Sequence, residues 1–378
     1  MSVYRSFQQI QSKLLLTKKE SSLIRLLFQK APSQSEQELY QDLVFDDEKQ
    51  SFLLLLARLA QRSDYACTPA PLIPRLKGLL RYHSVNNKLV LQPAVTLLDT
   101  AGASPLMLYG NSAMYGYYDG ENPRLMGIGD VYVPPERVQA LLDSAQATGF
   151  QVHAESSLAT CLKNQLGNVN VHKLVHLQAD AQIWQRSRQV QFQNRPVRVA
   201  DCADALILLL RSEFRWWCIQ NRQASNIKWY YDCACLLQHP DFPGFATLTT
   251  RAMELGSGQT VRFMLSLFDN ALPGWLPEGF LETLPKFNKK QIALAVQYGS
   301  ALARYDAGKA VSRIKQVICW PAMIRTKYHY LNSEISYSAQ QLSPIQMLRQ
   351  HFGVARLTQL PALFRSRRKA KAERRGQI

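Results

Sequence analysis

The sequence predicts an α+β fold, in which a small mixed sheet lies between two helical regions. Apolar residues recur at helical spacing before residue 104 and again after residue 200, whereas short apolar runs alternate with turn residues in between. Hydrophobic residues make up 47% of the 378 residues, enough for a sizeable core. A chain of this length holds about two domains. We expect a helical region over 1–103 and an α/β core over 104–200. A second helical region, 201–285, should pack on that core, and a basic helical segment with a frayed tail should follow over 286–378.

Helical periodicity dominates the first hundred residues. The prolines of Cys67–Pro74 predict a break between one pair of helices and the next. We expect helices over four segments: Ser21–Gln29, Gln50–Arg62, Leu76–Tyr82 and Leu89–Leu98.

The central region has the texture of strands joined by turns and short helices. Pro134 and Pro135 suit the first turn of a helix, and Gly149 suits its end. We expect a helix over Asn111–Tyr118, a hairpin over Gln189–Ala200, and strands in Pro105–Tyr109, Asp130–Val133, Phe150–Ala154 and Asn168–Leu177.

After Asp201, which is placed to cap a helix, the chain becomes helical again. We expect helices over Ala203–Ile219, Ile227–Gln238, Ala246–Leu255 and Thr260–Phe268.

The net charge of +17 is concentrated at one end of the chain. Residues 286–378 hold 18 lysines and arginines against three acids, a net +15, whereas the preceding part carries +2. Basic residues mix with aliphatic and aromatic ones over residues 311–378, which predicts docking on an anionic membrane surface. Nucleic acid is the competing polyanion, and a tail that only aids solubility is the third interpretation.

Several classes of protein are disfavoured by the sequence. We expect no membrane span, because no apolar run approaches ~20 residues, and no secretory signal. The seven cysteines lack a disulfide framework, which predicts a cytoplasmic protein, peripheral at the inner face of the membrane if the basic segment docks there. Cys233 and Cys235 lie in an apolar helix, which favours buried thiols over a zinc site. His172 and His176 lie in a segment predicted as a strand, which separates them too far for a shared metal ion.

One region carries a recognisable order of motifs. A strand ends at Gly110, a small-residue helix and a turn follow, and Arg124-Leu-Met-Gly127-Ile-Gly-Asp130 leads into a strand and a helix. Three later segments continue the order, namely VNVH at 169–172, DCADALILLL at 201–210 and KWYYDCACLL at 228–237. Over about residues 70–270 the chain resembles a nucleotidyltransferase family found near bacterial surface-polysaccharide and other biosynthetic loci, a branch of the DNA polymerase beta-type superfamily.

The resemblance implies transfer of a nucleotidyl group from a nucleoside triphosphate, with Mg²⁺ as cofactor and an acceptor that the sequence does not identify. Three carboxylates would hold the metal, two of them at positions n and n+2 of one strand. Asp130 takes the role of catalytic and metal-binding acid. The resemblance implies nucleotide-binding positions at Gly110, Asn111, Arg124, Gly127 and Gly129, and supporting positions at Asn170, His172, Lys228 and Asp232.

The chain departs from the family pattern at the positions that matter most. Ile128 stands where the first aspartate is expected, Asn170 where the third acid is expected, and Tyr109 where a lysine is common. Because two of three carboxylates are missing, we expect an impaired or altered transferase, or a pseudoenzyme.

Three functional interpretations remain open from the sequence. The fold binds a nucleotide or a partner without catalysis, or it transfers a nucleotidyl group with Asp119 or Glu121 as a replacement acid, or it is a platform for the basic segment. Some candidates also have plain structural interpretations: Asp130 as an acceptor for nearby amides, Arg124 in an ion pair, and Lys228 paired with Asp232 one helical turn away.

Overall fold

A computed structural model defines the architecture of most of the chain before residue 287. It describes residues 15–28, 38–40, 50–100, 107–108, 114, 116–118, 129–155, 159–172, 180–192, 194–220 and 227–286. The basic segment beyond Lys286 lies outside the described residues, and so does the expected docking region of 311–378. In the described part of the chain, no helix is both long and apolar enough to cross a bilayer.

Three helices before the sheet have described bounds: α1 is Lys18–Phe28, α2 is Gln50–Arg62 and α3 is Ile73–Thr100. The prediction of two helices in the last of these segments was wrong, because α3 runs for 28 residues without interruption and contains Pro93. A proline inside a helix costs about 3 kcal/mol. Burial offsets this cost, since Leu91 and Ala94 on either side of Pro93 are almost completely buried.

The predicted α+β fold is confirmed by a mixed sheet of seven strands within the described residues. In chain order the strands are β1 Met107–Leu108, β2 Gly129–Tyr132, β3 Gln151–Glu155, β4 Ala159–Asn164, β5 Gly167–His172, β6 Arg188–Phe192 and β7 Arg195–Val199. Their spatial order is β3-β4-β5-β2-β1-β7-β6. The pairs β2–β5 and β1–β7 are parallel, and the other neighbours are antiparallel.

Two helices flank these strands, α4 (Pro135–Ala147) and α5 (Asp180–Arg186). The two prolines before and at the start of α4 stand as the sequence predicted, with Pro134 as N-cap. The sequence predicted neither α5 nor β4. β4 reads ATCLKN and reverses into β5 through Asn164, whose side-chain oxygen accepts hydrogen bonds from the backbone amides of Leu166 and Gly167.

The two faces of the sheet have opposite environments. Val131, Val169 and Val171 are fully buried on one face, where a Cβ atom added at Gly129 would lie 3.3 Å from the Cβ of Ala94 in α3. We call this side the helical face. Side chains alternate along a strand, so the residues between these valines belong to the other side, which we call the open face.

Four α-helices complete the described fold. Each lies where the sequence predicted a helix, and their bounds differ from the predicted ones by at most three residues. They are α6 Cys202–Gln220, α7 Ile227–Gln238, α8 Phe245–Glu254 and α9 Gly258–Ala271. The expected cap is present, because the carboxylate of Asp201 accepts a 3.1 Å hydrogen bond from the backbone amide of Asp204.

An ion-pair cluster ties α5 to α6 and α8. Asp204 is completely buried, and Arg186 donates to both of its oxygens at 2.8 and 3.0 Å. Arg251 of α8 donates to Asp201 and lies 3.9 Å from Asp204. Burial raises the pKa of the Asp204 carboxyl, while Arg186 opposes that rise. The buried acid therefore depends on its two arginine partners to remain charged.

Candidate functional site on the open face

Asp130 lies on the open face in the middle of the sheet. The parallel register of β2 and β5 places Asp130 opposite Asn170 and Tyr132 opposite His172. The Asn170 Nδ2 donates a 3.0 Å hydrogen bond to Asp130 Oδ1, and the His172 Nε2 lies 3.0 Å from the same oxygen. An ionised carboxylate only accepts hydrogen bonds, so the His172 Nε2 carries a proton in this arrangement. The fold thus brings together three of the predicted site residues.

The cluster of Asp130, Asn170 and His172 is partly open to solvent. The side chains of Asp130 and His172 are 17% and 20% exposed. Cys161 of β4 lies opposite Asn170 on the next strand. Burial raises the pKa of the Cys161 thiol, and the neighbouring Asp130 carboxylate raises it further. Cys161 is therefore a neutral thiol at neutral pH, which disfavours it as a nucleophile or a metal ligand.

An aromatic and a cationic side chain form a wall on the same face, and the sequence analysis missed both. The Trp184 ring of α5 packs edge-on against Tyr132, with ring centroids 5.9 Å apart. Arg198 of β7 lies 5.3 Å from the centre of the Trp184 ring and donates to Ser187. This wall depends on β1 pairing with both β2 and β7, a long-range arrangement that no local pattern in the sequence reveals.

Lys228 and Asp232, the expected supporting residues on α7, lie elsewhere. The Asp232 Oδ1 accepts a 2.5 Å hydrogen bond from the Tyr118 hydroxyl. Burial lowers the pKa of the His83 imidazole on α3, and the nearby Lys228 ammonium lowers it further. His83 belongs to α3, and the Tyr118 ring stacks on Tyr231 of the same helix as Asp232, so Lys228 and Asp232 make these contacts away from Asp130.

Of the remaining predicted positions, one lies within the described residues and the others lie outside them. Gly129 is described, and it permits the close approach of α3 rather than facing the open side. The other expected nucleotide-binding positions and the possible replacement acids lie outside the described residues: Gly110, Asn111, Arg124, Gly127, Asp119 and Glu121.

The described residues around Asp130 do not by themselves form a site for two metal ions. Within the described ranges, no three residues of the His, Cys, Asp and Glu types come together as metal ligands. The amide group that replaces the expected third acid is a hydrogen-bond donor to Asp130, whereas Mg²⁺ prefers anionic oxygen ligands. Cys233, one of the pair considered for zinc, is fully buried, and His176 lies outside the described residues.

Comparison with known proteins identifies a family. A family model described as an uncharacterised nucleotidyltransferase matches residues 48–273, which run from just before α2 to just after α9. No curated protein matches the chain.

Proposed function

The chain belongs to the uncharacterised nucleotidyltransferase family, and on this premise we propose that it binds a nucleoside triphosphate on the open face beside Asp130, with impaired nucleotidyl transfer. The observation that carries the proposal is the contact between Asp130 and Asn170. In the family pattern both positions hold acids, and here one of them is an amide that donates to the other at 3.0 Å.

Charge explains why transfer is impaired. Nucleotidyl transfer builds up negative charge, which metal ions held by carboxylates stabilise in this class of enzyme. Ile128 has no ligand atom, and Asn170 has lost the charge of the expected acid. Two charges 4 Å apart interact with about 4 kcal/mol at an effective dielectric constant of 20, so each missing carboxylate weakens the hold on a divalent ion substantially.

The remaining residues of the cluster favour binding over transfer. Hydrogen bonds from Asn170 and His172 satisfy one oxygen of Asp130, so this carboxylate is positioned without a metal ion. Trp184 and Arg198 add a flat surface and a positive charge on the same face. A ring of the nucleotide and its phosphates find complementary groups there.

The test restores one acid. We expect Asn170→Asp to bind Mg²⁺ at least tenfold more tightly than wild type in calorimetry, because two carboxylates then face each other across β2 and β5. The matched control is Asn168→Asp, which adds the same charge on the same strand and face but lies opposite Lys163. Equal Mg²⁺ affinities of the two variants would contradict the proposed site.

Nucleotide binding is tested separately with the four triphosphates. We expect wild type to bind at least one of them, and Asp130→Ala to change its affinity several-fold. If neither protein binds any of the four, the open face is not a nucleotide site. Transfer of a labelled nucleotidyl group at a rate typical of two-ion enzymes by wild type would show instead that transfer is not impaired.

The charge distribution favours a second proposal for the C-terminal part of the chain. Residues 286–378 carry +15, so we propose that this segment docks on a surface rich in anionic lipid. Nucleic acid is the alternative polyanion, and competition between RNA and vesicles distinguishes the two.

A further inference from the structure

A cavity lies on the helical side of the molecule, bounded by the end of α1, by α2 and by α7. Its volume is about 360 Å³, and its lining includes Phe28, Arg58, Arg62, Tyr231 and Cys235. This volume is within the range of cavities that bind small molecules, roughly 300–1,000 Å³. None of its described lining residues is acidic.

The position of Tyr117 separates this cavity from Asp130. Tyr117 also lines the cavity, and it follows Gly116, whose Cβ direction points at the side chains of Val199 and Val190. Residues paired across neighbouring strands share a face of the sheet. Val199 of β7 pairs with Leu108 of β1, which pairs with Val131 of β2, so Val199 lies on the helical face. The cavity and the Asp130 cluster therefore lie on opposite faces of the sheet.

Two cations lie together in the cavity. Arg58 and Arg62 are one turn apart on α2, and both lie close enough to the Tyr231 hydroxyl to oppose the rise that burial causes in its pKa. Arg62 donates to the backbone carbonyl of Leu27, which fixes the guanidinium at the cavity wall. A guanidinium group presents a planar fork of donors that matches phosphate oxygens, and two such groups line this cavity.

Aromatic rings give the cavity a flat apolar surface beside the two cations. The rings of Phe28 and Tyr231 have centroids 5.3 Å apart, and Tyr118 stacks on Tyr231 at 5.9 Å with an interplanar angle of 25°. On another side of the cavity, Tyr117 meets His239 edge to face at 5.2 Å. Flat ring surfaces next to an arginine pair suit a ligand that is planar at one end and anionic at the other.

We propose that this cavity binds a mononucleotide-type ligand, a small molecule with a phosphoryl group held by Arg58 and Arg62 and a flat ring packed among the aromatic side chains. The site is separate from the triphosphate site proposed at Asp130. A ligand that ties α1 and α2 to α7 stabilises the packing of these helices behind the sheet, so the site offers a means of sensing a nucleotide without chemistry.

The first test uses calorimetry with AMP, adenosine and inorganic phosphate. We expect AMP to bind wild type more tightly than either fragment, because only AMP reaches both the arginine pair and the rings. The double variant Arg58→Gln/Arg62→Gln should weaken AMP binding at least tenfold. The control is Arg137→Gln, an exposed arginine on α4, which should leave the affinity unchanged.

The second test keeps the arginines intact, since Arg62 also bonds to α1. Cys235 is half-buried in the cavity wall, and Cys67, also half-buried, is not part of the lining. We expect AMP to slow the alkylation of Cys235 several-fold and to leave Cys67 unaffected, as measured by peptide mass spectrometry. The protection should persist in Asp130→Ala, which separates this site from the open face. Absence of protection in wild type, or its loss in Asp130→Ala, would overturn the proposal.

Discussion

At the scale of single residues, the contrast between Asp130 and the buried thiol of Cys202 shows how position decides chemistry. Asp130 stands on a half-exposed face with two hydrogen-bond partners, whereas Cys202 is 1% exposed at the start of α6. Burial raises the pKa of Cys202 to about 12 from an ordinary value of 9.0. The folded protein therefore keeps this thiol protonated at pH values where the unfolded chain ionises it.

This difference predicts a loss of stability in alkali. Between pH 9 and 12 the unfolded state releases the Cys202 proton and the folded state does not, so the free energy of unfolding falls as the pH rises. We expect Cys202→Ala to show a smaller fall than wild type between pH 8 and 10, measured by urea unfolding. Tyrosines such as Tyr117 and Tyr230 contribute above pH 10, so the comparison stops there. Parallel profiles for the two proteins would refute this explanation.

The residues of the candidate site differ in how far the sequence could reveal them. The sequence predicted a strand over Asn168–Leu177 and, through the resemblance, selected Asp130, Asn170 and His172. The sequence could not reveal the shared contact on Asp130 Oδ1, because that contact requires the parallel register of β2 and β5. Trp184 and Arg198 were missed for the same reason, since strand pairing over long separations leaves no local signal.

At the scale of elements, the start of α9 depends on a glycine. A Cβ atom at Gly258 would lie 2.8 Å from ring carbons of Pro285 and 2.9 Å from the Met253 sulfur. A proline ring cannot move aside as a flexible side chain can, so we expect Gly258→Ala to lower the free energy of unfolding by about 1–3 kcal/mol. The measurement is the shift of the thermal and urea midpoints.

The matched control is Gly78→Ala in α3, where nothing lies within 4 Å of the added Cβ atom. Alanine has the higher helix propensity, so this variant should gain about 0.5–1 kcal/mol. The two substitutions are chemically identical and should move the midpoint in opposite directions. A Gly258→Ala protein as stable as wild type would show that the end of the described chain packs differently around Pro285.

The elements themselves were predicted with uneven success, for physical reasons. The amphipathic helices α2, α6 and α7 carry their signal locally, and the sequence predicted their bounds closely. The split predicted between Tyr82 and Leu89 was wrong because the polar residues there carry no apolar periodicity, yet the helix buries His83 and Asn87 one turn apart. β4 was missed because its residues, ATCLKN, combine weak strand propensity with partners on both sides that only the sheet supplies.

At the scale of the whole molecule, the chain before residue 286 carries a net charge of +2, whereas residues 286–378 carry +15. Most of the net charge lies in residues 286–378, so the proposed docking on anionic lipid should depend mainly on that segment. A lysine or arginine near an anionic surface contributes about 1 kcal/mol, and salt screens this attraction. Recovery of the protein on phosphatidylserine vesicles should therefore fall steeply as the salt concentration rises.

Two triple variants distinguish a tail-specific effect from a general loss of charge. Replacing Arg365, Arg367 and Arg368 with Gln should reduce recovery on phosphatidylserine vesicles by one to two orders of magnitude. The reason is that three charges contribute about 3 kcal/mol before screening. The control replaces three exposed basic residues of α3, Arg75, Arg81 and Lys88, and should leave recovery nearly unchanged. If both triples lower recovery equally, the attraction follows net charge and no dedicated docking segment exists. If wild type is recovered equally on neutral phosphatidylcholine vesicles, charge does not drive the association and the apolar residues of the segment must account for it.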